Sequence, residues 1–111
     1  MNTVAEGLQA ATADLTPPFA VVDLDALESN VESMITRAHG LPIRLATKSI
    51  RCRAVTNRVL ERSGFQGVLA YSLAEAIWLA RSAIPDVLGF LDADPGPSAM
   101  NFLRIDGHKG I

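Results

Sequence analysis

Apolar positions along the chain fall into two alternating rhythms: short continuous runs, and longer stretches in which they recur every three or four residues. Val4, Leu8, Ala11 and Leu15 lie on one helical face, predicting an N-terminal helix within residues 1–16 that ends at Thr16-Pro17-Pro18. Phe19-Ala20-Val21-Val22-Asp23-Leu24 is a compact apolar run suited to a buried strand. Asp25 follows as a helix cap with Glu28 three residues on, and Leu27, Val31, Met34, Ile35 and Ala38 form a helical stripe that stops at Gly40. Pro42, which has no N–H for a ladder, opens a second strand that runs to Lys48. Its alternation puts Ile43, Leu45 and Thr47 on one face, and Arg44, Ala46 and Lys48 on the other. A helix from about Cys52 to Arg62, with Val55, Val59 and Leu60 inward, ends at Gly64. Gly67-Val68-Leu69-Ala70-Tyr71 is the third strand. Ser72 caps the next helix with Glu75 at capping-box spacing, and Leu73, Ala76, Ile77 and Ala80 form its inner face. Pro85 breaks that pattern, and Asp86–Phe90 reads as a fourth strand.

Strands alternating with helices predict an α/β fold with parallel strands and right-handed crossovers. Periodicity does not separate a doubly wound sheet from half of a (β/α)8 barrel. After Phe90 the run Leu91-Asp92-Ala93-Asp94-Pro95-Gly96-Pro97-Ser98 is turn chemistry, and residues 91–111 read as an irregular or disordered tail.

Composition narrows the classes. Of the 111 residues 49% are hydrophobic but only 5% aromatic, so the apolar content is mostly aliphatic, as buried parallel strands require. A formal net charge of -2 argues against a nucleic-acid or anionic-membrane partner. No apolar run approaches the ~20 residues of a membrane span, and the first fifteen residues lack the pattern of a secretory signal. Cytoplasmic localisation is the expectation. The single cysteine, Cys52, allows no internal disulfide and reads as a small buried hydrophobe at a helix start.

The candidate chemistry centres on Lys48. A lysine at a strand end is most often a solvated surface charge, but in α/β architectures ligands gather outside the carboxyl ends of the strands, where Lys48 falls. Other signals are weaker. No glycine-rich phosphate loop follows the first strand, where Asp23-Leu24-Asp25 stands. His39 and His108 are isolated, so no metal site is expected.

Phe19-Ala20-Val21-Val22-Asp23-Leu24-Asp25-Ala26-Leu27-Glu28-Ser29-Asn30-Val31 resembles the opening strand and helix of the alanine-racemase N-terminal domain family, the fold-type III pyridoxal-phosphate enzymes. In that family the second strand carries the lysine that forms the Schiff base with the cofactor, and Lys48 takes that position. Gly67-Val68-Leu69-Ala70-Tyr71-Ser72-Leu73-Ala74-Glu75-Ala76 is similar to the family's third strand and following helix. The likeness covers roughly residues 17–90. It departs from alanine racemases at Cys52, where those carry the tyrosine of a Tyr-Gly-His-Gly run. The Arg44-x-x-x-Lys48 spacing looks closer to the D-threonine aldolase and amino-acid deaminase branch, although Ile50 stands where that branch often has histidine. The Gly-Glu-Asn signature of the single-domain pyridoxal-phosphate homeostasis proteins is absent.

The resemblance implies a partial (β/α)8 barrel of about four parallel strands and three intervening helices at residues 17–90, after an N-terminal extension at 1–16. It implies pyridoxal phosphate as cofactor, Lys48 as the catalytic and cofactor-binding residue, and Arg44 and Tyr71 as cofactor neighbours. The substrate would be a small D-amino or β-hydroxy amino acid, cleaved or deaminated; an alanine-racemase-like isomerase is the alternative. Because the likeness stops after four strands, an N-terminal fragment is expected, inactive alone and completed by a C-terminal half or a homo-oligomer.

Overall fold

The computed structural model describes residues 3–91 and 101–106. The chain forms two compact units, Met1–Met34 and Ile35–Ile111.

In the first unit, α1 (Val4–Ala11) starts from a capping box: the Thr3 hydroxyl accepts the Glu6 N–H at 3.2 Å and the Glu6 carboxylate accepts the Thr3 N–H at 2.7 Å. None of its residues is buried. The anticipated strand at Phe19–Leu24 does not form. Residues 19–23 carry no sheet pairing, and Phe19, Val21, Val22 and Leu24 stay 44–47% exposed. Helix α2 (Leu24–Arg37) begins inside that run, which removes its last residue from any ladder. The helix cap is Asp23 rather than Asp25: Asp23 Oδ1 accepts the Ala26 N–H at 3.0 Å, and its carbonyl accepts the Leu27 N–H at 3.0 Å. Asp25 instead lies in the first turn, where its charge complements the helix dipole.

In the second unit, α2 ends at Arg37, three residues before the expected stop, and the chain turns away through Gly40, whose φ of +84° suits glycine. There follow β1 (Ile43–Ala46), α3 (Arg53–Leu60), β2 (Phe65–Ala70), α4 (Leu73–Arg81), β3 (Asp86–Leu91) and β4 (Asn101–Asp106). The four strands form one sheet in the order β1-β2-β3-β4. β1, β2 and β3 are parallel, and β4 runs antiparallel to β3.

The fold is thus α/β, with three parallel strands rather than four and an antiparallel strand in the segment anticipated as irregular. Residues 92–100 and 107–111 of that segment lie outside the described residues. β4 forms because residues 101–106 satisfy the free edge of β3 while Ile105 adds to the core and Arg104 finds a carboxylate on the other face.

One row of partners crosses all four strands: Leu45 beside Val68, Val68 beside Val87, Val87 beside Ile105. Val68 and Val87 are fully buried. Leu60 of α3 and Ala76, Leu79 and Ala80 of α4 pack on this row, so both helices cover the same face of the sheet. The next row, Ala46, Leu69, Leu88 and Arg104, faces the other way and is exposed or half-buried. The strands carry their polar chemistry on that second face. Among the described residues no helix is long and apolar enough to cross a membrane.

Candidate functional site

The carboxyl ends of β1 and β2 lie side by side, with Ala46 beside Leu69 and the Thr47 N–H donating to the Leu69 carbonyl at 3.2 Å. Pairing continues one residue past β1, which preserves the alternation at the strand end. Thr47 turns to the helix-covered face and is buried. β1 ends at Ala46, short of the expected Lys48, which follows in a bend, and Tyr71 lies in a bend directly after β2. The Lys48 Nζ lies 5.4 Å from the centre of the Tyr71 ring, within cation–π range. Both side chains are exposed. Among the described residues no carboxylate pairs with Lys48, so its amine is available at the mouth of the parallel strands.

Behind this pair, Ser72 caps α4 as anticipated, its hydroxyl accepting the Glu75 N–H at 3.1 Å. The Glu75 side chain does not fold back to complete a capping box. It accepts a hydrogen bond from the Thr47 hydroxyl, which ties α4 to the end of β1. This bond fixes the strand end that presents Lys48. A Glu three residues after a Ser reads from sequence as a local cap, which hid the longer-range bond.

Arg44 lies inside β1, four residues before Lys48, and its side chain is engaged elsewhere. Its guanidinium is held at the other end of the sheet by Asp86, the first residue of β3. Arg44 Nη1 donates to Asp86 Oδ1 at 3.0 Å and Nη2 to Oδ2 at 3.2 Å. Arg104 of β4 adds Nε to Oδ1 at 3.1 Å and Nη2 to Oδ2 at 2.9 Å. The Arg44 hydrogen bonds lower the Asp86 pKa most; burial opposes them, and Arg104 adds to the lowering. Arg104 is itself pushed up by Asp86.

Gly67 makes this clamp possible. Its φ is +67°, and a Cβ there would lie 2.3 Å from the Asp86 carbonyl oxygen and 2.7 Å from Arg44 Nη1. It sits at a register shift between β1 and β2, with no side chain in the path of the arginine. In the sequence Asp86 reads as a strand residue and Arg104 falls in the tail, which hides the clamp. A glycine within a strand was the available signal.

Cys52 is exposed rather than buried; it takes the cap position of α3 without making a side-chain cap bond. A cavity of about 330 Å³ opens between the end of β1, the start of α3 and α4. It lies on the helix-covered side and does not include Lys48 or Tyr71. A larger one, about 680 Å³, lies at the opposite end of the strands, between Phe65, Pro85 and Asp106.

No family model, curated protein or solved structure matches the chain.

Proposed function

We propose that the chain is the N-terminal part of a pyridoxal-phosphate enzyme of the alanine-racemase barrel family, with Lys48 as the residue through which the cofactor is attached. The substrate class is a small D-amino or β-hydroxy amino acid, as in the D-threonine aldolase and amino-acid deaminase branch. The observation that carries this reading is the Lys48 amine at the carboxyl end of a parallel strand, unpaired with any carboxylate among the described residues and 5.4 Å from the Tyr71 ring. An aldehyde needs an amine that can be deprotonated and approached, and this one is exposed. The order β1-β2-β3 with both connecting helices on one face is what one wall of a barrel has, whereas the antiparallel β4 on the edge of β3 is not a barrel strand.

The fit is good at one end of the cofactor only. Lys48 suits the aldehyde and Tyr71 offers a ring face beside it. Arg44, the anion-holding neighbour expected there, is committed to Asp86. The phosphate would be held by parts of the barrel beyond these strands, which is where such barrels hold it. When bound, the cofactor supplies an electron sink for bonds at the substrate's α-carbon. Lys48 holds it in place and passes a proton at its Nζ. Tyr71 limits the sweep of the lysine chain, and the Thr47–Glu75 bond keeps the strand end in register beneath it. The commitment of Arg44 also favours a second reading, in which this chain does not catalyse by itself.

The test is the absorbance of the cofactor mixed with the chain. An imine band should develop with the native sequence and be lost in Lys48→Ala; a band of equal strength in Lys48→Ala would refute the assignment.

A further inference from the structure

We infer that the cavity between the end of β1 and the first turns of α3 and α4 is a binding site for a small planar aromatic carboxylate. This inference is independent of the role proposed for Lys48. At about 330 Å³ the cavity lies at the small end of ligand pockets, room for a one- or two-ring compound. One wall is apolar: Trp78 and Ile50 are 49% and 52% exposed, and Leu79 forms a buried floor. Leaving an indole half in water forgoes much of its burial free energy, which a flat apolar group stacked on it would recover.

The rim is cationic. Arg51 and Arg53 both line the cavity, against one carboxylate, Glu75, which already accepts the Thr47 hydroxyl. Among the described residues no carboxylate pairs with either arginine. The Arg53 guanidinium is held 5.8 Å from the centre of the Trp78 ring. A ring face meets the charge of a guanidinium but leaves in-plane N–H donors to be satisfied, and their fork geometry matches a carboxylate. Apolar wall and paired cations therefore sit on one small opening. They select a ligand that is flat and apolar at one end and carries a carboxylate at the other, in preference to a bare anion.

Trp78 is the chain's one tryptophan, so its emission reports directly on this cavity. The experiment titrates the full chain with benzoate and, separately, with inorganic phosphate, following tryptophan fluorescence. A saturable change with benzoate is expected, at least tenfold tighter than with phosphate, and at least tenfold weakened in Arg51→Ala. Arg51 is an exposed loop residue, so that variant keeps the fold. No saturable change with benzoate would overturn the site. Equal affinity for phosphate would overturn the aromatic selectivity, and unchanged affinity in Arg51→Ala would overturn the role of the cationic rim.

Discussion

Replacing Asp86 by alanine should be among the most damaging single substitutions on the open face of the sheet, while replacing its partner Arg104 should cost little. Asp86 accepts four N–H donors, two from Arg44 and two from Arg104. The two arms differ in exposure. The Arg44 and Asp86 side chains are 26% and 12% exposed, whereas Arg104 is 56% exposed. Breaking a fully buried pair costs about 3–5 kcal/mol. The Arg44 arm is only partly buried, and Arg44 Nη1 retains the Val68 carbonyl at 3.3 Å. A cost of about 2–3 kcal/mol therefore follows for that arm. The Arg104 arm is a largely solvated pair and contributes little.

Asp86→Ala should thus lose about 2–4 kcal/mol, and Arg104→Ala far less, from a total that for such domains is ~5–15 kcal/mol. Urea unfolding followed by Trp78 emission reads both. With a slope of ~2 kcal/mol/M, the Asp86→Ala midpoint should fall by about 1–2 M and that of Arg104→Ala by much less. Equal losses for the two variants would refute the argument that burial of the Arg44 arm sets the cost. So would an Asp86→Ala loss of under ~1 kcal/mol.

Two further outcomes follow from the same clamp. Gly67→Ala should destabilise the chain as much as Asp86→Ala or more, because the added methyl meets backbone as well as the Arg44 guanidinium and the φ of +67° is strained for alanine; the same urea series checks it. The folded-state pKa of Asp86 is lowered, so its contribution is full above the ordinary carboxylate value of ~3.9 and is lost as the pH falls through the lower folded value. Native stability should therefore fall on acidification below about pH 4, and Asp86→Asn should flatten that dependence, as thermal unfolding at stepped pH would read.

Much of the second unit was legible because local signals agreed there. Pro42, Gly64, Ser72 and Pro85 mark element ends by backbone chemistry that tertiary structure does not override, and the helices fell between them. Two features were not legible. Phe19–Leu24 has strand composition, but composition does not supply a pairing partner, and the Asp23 cap drew its last residue into α2. β4 comes after a run of turn-forming residue types in the sequence and owes its place to the free edge of β3 and to Asp86, both distant in sequence. At the candidate site, the order of strands and turns in the sequence put Lys48 after β1 and Tyr71 after β2, and the structure brings the two within 5.4 Å. The spacing of Arg44 from Lys48 could not reveal that Asp86, far away in sequence, holds Arg44.

The most direct test of the central claim is reductive trapping. The chain has two lysines, Lys48 and Lys109, so the second serves as an internal control. Incubation with pyridoxal phosphate, reduction by borohydride and peptide mapping would locate the adduct. Adduct concentrated on Lys48, and reduced to the level of Lys109 when Tyr71 is replaced by alanine, is the predicted result. Equal modification of Lys48 and Lys109 in the native chain would mark Lys48 as an ordinary surface amine and contradict the account.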